Sequence, residues 1–218
     1  MTVRPTLVGG VYLVADTELC GEFGVEETVR AAVAGGIRMV QIRDKTASNS
    51  DFYELVMRTA SAVDDRALLL VNDRVAVFVA ARSDGAAVHG VHIGQNDMAP
   101  LEVRRIVGAD ALIGLTANTI AHIADANSLP EGTVDYLGIG VIRNSATKPD
   151  HPRVLGVTGF RALASLSSLP CVAIGGISAA DMPILRGAGA AGAAVVSAIC
   201  GAPDPQSNAE LLIAAWDQ

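Results

Sequence analysis

The sequence predicts an α/β fold, a single (β/α)8 barrel of the TIM type, from three observations. Eight short apolar runs alternate with segments of helical spacing along 218 residues. Such alternation implies parallel strands joined by right-handed crossovers, and a barrel of eight units typically takes about 250 residues. Half of the residues are hydrophobic and only 4% aromatic, so the apolar mass is Ala, Val, Leu and Ile, which suits strands covered by helices. Six of the runs also end at polar or glycine clusters, where parallel α/β enzymes bind their ligands. An open doubly wound sheet is the alternative fold.

The elements are expected in this order. A first strand over 11–15 leads to a helix over 25–34, and a second over 39–43 to a helix over 51–63. In that second helix Phe52, Leu55, Val56 and Thr59 share one face. The third strand, 68–71, stops before Arg74-Val75-Ala76, where a helix begins. The fourth, 91–93, precedes a helix over 100–107. Strands over 112–115, 136–140, 172–174 and 194–196 complete the set. The Gly/Ala-rich residues 187–194 form a tight helix-to-strand turn, and Trp216 anchors the last helix. No stretch has the composition of a linker, so residues 1–218 are expected to form one catalytic domain.

Composition also excludes. The formal net charge of −7 offers no basic surface for a nucleic-acid backbone, so any phosphate affinity must come from a few placed Arg, Lys and backbone N–H groups. Cys20, Cys171 and Cys200 are odd in number and lack metal-ligand spacing, which predicts a reduced, cytoplasmic setting. No secretory signal or membrane span is expected. The expected partners are small-molecule substrates, and a homo-oligomer is compatible with the sequence.

Chemistry gathers at the strand ends. In Gln41-Ile42-Arg43-Asp44-Lys45, strand alternation puts Gln41, Arg43 and Lys45 on one face. Two cations atop a barrel interior need an anion, although a strand fraying into a solvated loop would also explain them. Asn72-Asp73 follows the third strand: either residue could cap the next helix, or Asn72 could contact phosphate or a ring and Asp73 a Mg²⁺. Asp97 in Gly94-Gln95-Asn96-Asp97 has the same two readings. The pair favours a metal, because Mg²⁺ takes one or two carboxylates plus substrate phosphate oxygens. Gly175-Gly176-Ile177-Ser178 and Val195-Val196-Ser197 end the last two strands, where such barrels usually hold phosphate. A plain tight turn with Ser178 as a cap is the bland alternative. Thr147-Lys148 adds a hydroxyl and a cation after the sixth strand. The histidines show no metal spacing, and His92 is expected as a hydrogen-bonded core residue. No nucleophilic triad is present in the pattern.

Taken in order, these segments resemble the thiamine-phosphate synthase family. The match runs from Tyr12-Leu13-Val14 through Val40 to Lys45, Val71-Asn72-Asp73, Val91 to Asp97, Asp135 to Gly140, Thr147-Lys148, Ala173 to Ile177, and Val195 to Ile199. The resemblance implies a transferase that joins 4-amino-2-methyl-5-hydroxymethylpyrimidine diphosphate to a thiazole phosphate and releases pyrophosphate. It implies that Gln41, Arg43, Lys45, Asn72 and Lys148 hold the pyrimidine diphosphate, with Arg43, Lys45 and Lys148 as the catalytic cations. Asp73 and Asp97 would ligate Mg²⁺. Gly176, Val196, Ser197, Ser145 and Thr147 would form the thiazole phosphate site. Thr116 stands where the family has a serine and joins the substrate-binding set.

Three segments depart from the family pattern. Gly140-Val141-Ile142-Arg143-Asn144-Ser145 replaces a stretch carrying proline and an aromatic residue, Thr116-Ala117-Asn118 replaces a Ser-x-His, and extra residues surround 86–89. A guanidinium at Arg143 would favour a carboxylated thiazole phosphate, unless it points into solvent. Two other functions compete. A thiazole tautomerase-like isomerase would not need the full diphosphate-binding set, and a non-enzymatic phosphate-binding barrel would not need paired carboxylates beside three cations.

Overall fold

The computed structural model describes residues 4–144 and 154–218. Eight parallel strands close into a barrel in sequential order: β1 (Gly10–Asp16), β2 (Met39–Arg43), β3 (Leu68–Asn72), β4 (Gly90–Ile93), β5 (Leu112–Thr116), β6 (Tyr136–Gly140), β7 (Cys171–Ile174) and β8 (Gly192–Val195). The open-sheet alternative is thereby excluded, because β1 pairs with β8 as well as with β2. The helices are α1 (Gly24–Ala34), α2 (Asn49–Val63), α3 (Val75–Ser83), α4 (Pro100–Val107), α5 (Ile120–Ser128), α6 (Gly156–Ala164), α7 (Met182–Gly187) and α8 (Pro205–Asp217).

The period-two alternation sorts each strand between two apolar layers. Leu13, Val40, Ile42, Leu69, Val71, Val91, Ile113 and Leu137 face the helices in one large cluster. Tyr12, Val14, Met39, Leu70, Tyr136, Val172 and Ala194 form a separate cluster inside the barrel. Gln41 is buried with the interior parity of Met39 and Arg43 follows with the same parity, whereas Lys45 lies beyond the end of β2.

Local signals set the helix ends. Ser48 Oγ accepts from Asp51 N at 3.1 Å and starts α2 two residues earlier than apolar spacing alone suggests. Asp204 caps α8 by accepting from Ser207 N at 3.0 Å. The two caps considered at the candidate metal positions are not formed. The residue before α3 is Arg74, with no side-chain cap, and the residue before α4 is Ala99. Asp97 turns back instead, accepting from Gly94 N at 2.7 Å.

The end of the barrel opposite the strand termini is tied by ions. Asp135 accepts from Arg4 Nη1 at 2.8 Å, Arg104 Nη2 at 2.7 Å and Ile113 N at 2.7 Å. This carboxylate joins three segments, a stability role typical of the N-terminal face. The extra residues near 86–89 also serve pairing: His89 N donates to Leu69 O at 2.8 Å, and Leu69 N donates to His89 Nδ1 at 3.1 Å.

Candidate active site at the carboxyl end of the barrel

The chain leaves β2 through a turn closed by Asp44, whose carboxylate accepts from Thr46 N at 2.8 Å and Ala47 N at 2.7 Å. Burial alone would raise the Asp44 carboxyl, but these N–H groups hold it below the usual range. On either side of that turn the two cations each meet a carboxylate. Arg43 Nη1 bonds the buried Asp16 at the end of β1, and Lys45 Nζ bonds Asp73. The fraying-strand alternative therefore fails for Arg43, whereas Lys45 remains half exposed at 52%. Asp16 was not singled out in the sequence. Its only signal there was its place at the end of the first strand.

Asp73 sits in the left-handed region at φ 58°, where aspartate is one of the few tolerated non-glycine residues. Its N–H donates to His92 O at 2.8 Å, which holds it against the end of β4, the strand whose following loop carries Asp97. Asn72 pairs in register with His92. Two hard carboxylates on loops of adjacent strands are a donor set that fits Mg²⁺. Among the described residues no three His, Cys, Asp or Glu side chains cluster to form a full cage, so phosphate or water would have to complete the shell.

Beneath these groups a row of hydrogen bonds crosses the interior. Gln41 Nε2 donates to Tyr12 OH at 2.5 Å, Tyr12 OH lies 3.1 Å from Tyr136 OH, and Tyr136 OH lies 3.0 Å from His92 Nδ1. His92 Nε2 lies 3.1 Å from Thr116 Oγ1. Glycine makes the room: a Cβ on Gly114 would come within 2.2 Å of Tyr136 Cζ and 2.4 Å of His92 Nδ1. Desolvation pushes the His92 imidazole down to about 4 and the Tyr12 hydroxyl up to about 12, so both are neutral near pH 7. His92 is thus a hydrogen-bonded interior residue, as expected. The sequence pattern marks the two tyrosines only as strand residues. For Tyr136 the signal available is Gly114, its register partner on the neighbouring strand.

On the far side, Gly175 and Gly176 both have positive φ, 102° and 65°. Residues 141–144 run close over them: a Cβ on Gly175 would lie 2.7 Å from Val141 Cγ1, and one on Gly176 would lie 2.8 Å from Arg143 O. After β8, Val196 O accepts from Ile199 N and Cys200 N, closing a single turn that begins at Ser197. The side chains of the divergent segments are engaged internally. Asn118 Oδ1 accepts from Gly140 N at 3.0 Å. Arg143 Nε donates to Asp181 Oδ1 at 2.7 Å, a carboxylate of the chain itself. Ser178 N and Oγ donate to the same buried Asp181, at 3.0 and 2.8 Å, which gives Ser178 the capping role considered for it. Ser145, Thr147 and Lys148 lie outside the described residues.

A profile of the family described as thiamine monophosphate synthase matches residues 11–199. A thiamine-phosphate synthase of Psychrobacter sp. is 43% identical over 204 residues, covering 94% of this chain and 93% of that protein. One of Corynebacterium efficiens is 42% identical, with 89% of each covered. Among solved structures, thiamine phosphate pyrophosphorylase from Pyrococcus furiosus superposes with a TM-score of 0.81 at 29% identity, over 95% of both chains. A 3-hexulose-6-phosphate synthase at 15% identity, TM-score 0.68, shares the fold.

Proposed function

Because the chain belongs to the thiamine monophosphate synthase family, we propose that it joins 4-amino-2-methyl-5-hydroxymethylpyrimidine diphosphate to a thiazole phosphate. The products are thiamine phosphate and pyrophosphate. The reading is supported beyond family membership by the Lys45–Asp73 pair on the loops after β2 and β3, with Arg43 at the end of β2 and Asp97 on the loop after β4.

The residues divide the work by chemistry. Gln41 and Asn72 hold the pyrimidine diphosphate, and Thr116 lies on the same interior face. Arg43 commits one guanidinium nitrogen to Asp16, which fixes the side chain and leaves donors for phosphate oxygens. Lys45 and Lys148 add positive charge, and together the three cations stabilise the charge that builds on the departing pyrophosphate. Asp73 and Asp97 would hold Mg²⁺, which when bound supplies Lewis-acid neutralisation of the diphosphate. The Lys45–Asp73 pair then opens as the diphosphate takes over Lys45. Gly176, Val196, Ser197, Ser145 and Thr147 receive the thiazole phosphate through backbone N–H groups and hydroxyls. The leaving group departs before the thiazole nitrogen attacks, so no protein nucleophile is needed. Residues 1–218 would act as one catalytic domain.

No helix among the described residues is long and apolar enough to cross a membrane. Small-molecule partners are the family's kind. A cytoplasmic setting, which keeps the free thiols of Cys20, Cys171 and Cys200 reduced, completes the proposal, with neither nucleic acid nor membrane as a partner and a homo-oligomer compatible with it.

The test is formation of thiamine phosphate from both substrates with Mg²⁺, against the same mixture in excess chelator. Product with metal and none without is expected. Asp73→Asn, which tolerates the left-handed backbone, and Asp97→Asn should each lose activity by orders of magnitude while remaining folded. Full turnover in chelator would remove the metal from the mechanism, and failure to form product under any condition would overturn the assignment.

A further inference from the structure

Two turns at the carboxyl end of the barrel meet across its seam, one after β1 and one after β8. Cys20 N donates to Asp16 O at 2.9 Å and Cys200 N donates to Val196 O at 2.8 Å, so a cysteine closes each turn. The strands below them pair through Leu13 and Val195, which brings the turns side by side. Gly201, at φ 73°, lets the backbones touch: a Cβ there would lie 2.9 Å from Leu19 O. The sulfurs of Cys20 and Cys200, 180 positions apart in the chain, lie 3.2 Å from each other. Both are free thiols and both are buried. A disulfide bond measures about 2.0 Å, so roughly 1 Å of approach separates the pair from one. The third cysteine, Cys171, is also buried but meets a carbonyl, Leu169 O at 3.4 Å.

The surroundings favour a thiolate on Cys20. Thr28 Oγ1, on α1, is buried beside that sulfur and has no hydrogen-bond partner among the described residues. The Cys200 contact and the Thr28 hydroxyl hold the Cys20 thiol below its ordinary range against its burial, while the same contact and burial push Cys200 up. The cover over Cys20 is thin. Gly21 and Gly24 have open space where a Cβ would sit, and Phe23 is 53% exposed instead of packed down. A water-sized oxidant needs only that short turn to lift.

We propose that Cys20 and Cys200 are a disulfide-forming pair, oxidised by a hydroperoxide, whose bond rivets the last turn of the barrel to the first. The Cys20 thiolate attacks a peroxide oxygen and the O–O bond breaks, leaving a sulfenic acid on Cys20 and a hydroxide that takes up a proton. The Cys200 sulfur then attacks the Cys20 sulfur, the S–O bond breaks, and the thiol proton leaves with the hydroxyl as water. Two thiols give up two electrons in all, and one hydrogen peroxide becomes two waters. In a reducing setting the pair rests as two thiols. Once linked, the unfolded chain keeps its first and last strands together, which removes most of the freedom that unfolding would gain at the seam.

The test treats the reduced protein with hydrogen peroxide, denatures it, alkylates the remaining thiols and maps the peptides by mass spectrometry. Residues 20 and 200 should be recovered in one linked species, the chain two hydrogens lighter, with Cys171 alkylated, and dithiothreitol should restore all three thiols. The oxidised protein should melt about 5–15 °C above the reduced protein. Cys20→Ser and Cys200→Ser should each show neither the link nor the rise, and Cys171→Ala should keep both. Each shift is read between oxidised and reduced samples of one variant, so a lower starting stability does not obscure it. Cys171 consumed as fast as the pair, oxygen added to Cys20 without a link, or a link formed between chains would overturn the proposal. A link within the chain that leaves the melting temperature unchanged would overturn its role as a rivet.

Discussion

At the scale of single residues, charge placement decides what each side chain can do. Arg43 and Lys45 are two positions apart, yet Arg43 meets a buried carboxylate and Lys45 a half-exposed contact. Arg43→Ala would leave buried Asp16 with the Glu18 N–H, at 3.1 Å, as its one remaining side-chain partner among the described residues, a loss of about 1–3 kcal/mol by urea unfolding. Lys45→Ala should be nearly neutral for stability. In kcat, both variants and Lys148→Ala should fall by roughly 10²–10³, the scale of a lost donor to developing negative charge. Steady-state kinetics with raised KM and unchanged kcat would restrict these cations to ground-state binding.

His92 carries a pH signature. Its folded-state value of about 4 lies below the ordinary 6.5, so between those limits the unfolded chain binds more protons than the native one. Stability contributed by the neutral imidazole is complete above pH 6.5, falls as the pH drops, and is gone below about 4. The slope is at most about 1.4 kcal/mol per pH unit within that window. Denaturant midpoints for wild type and His92→Gln at pH 7 and pH 5 should show a steeper acid loss in wild type. Equal losses would mean that the imidazole is protonated in place.

At the scale of elements, loops that depart from the family pattern are fastened by their own residues. Arg143 is over half exposed, but Asp181 is buried and takes bonds from Arg143, Ser178 N and Ser178 Oγ. Burial alone would raise the Asp181 carboxyl, and these donors hold it below the usual range. Asp181→Asn should therefore cost about 0.5–2 kcal/mol, as for a lost helix-start bond, and Arg143→Ala less, measured by thermal or urea unfolding. A larger loss for Arg143→Ala would place the stabilisation in the guanidinium. The pairing gives Arg143 a carboxylate partner within the chain, while more than half of its side chain stays exposed.

At the scale of the molecule, legibility followed the period of the pattern. All eight strands were visible because apolar runs and strand-end clusters recur together, and parity along β2 predicted which of Gln41, Ile42 and Arg43 face inward. Partners were not visible. That Arg43 meets Asp16 and that Lys45 meets Asp73 depends on which strands adjoin, a matter of closure rather than local spacing. The interior row was hidden for the same reason, since Tyr12 and Tyr136 are 124 residues apart in the chain. The cap readings at Asp73 and Asp97 gave way to other partners, Lys45 across the strands for Asp73 and the nearby Gly94 N–H for Asp97.

The pairing of β1 with β8 has a consequence for how the chain is made. Residues 10–13 meet their second neighbour only when residues 192–195 exist. Part of their helical cover arrives later still, with α8, whose Trp216 borders Gly10. A ribosome reading from the N-terminus therefore extrudes a growing sheet with two open edges for most of translation. That sheet becomes a closed ring only in the last moments of synthesis or after release. Until then the first strand is held from one side alone, and holding back its unpaired edge falls to chaperones or to speed.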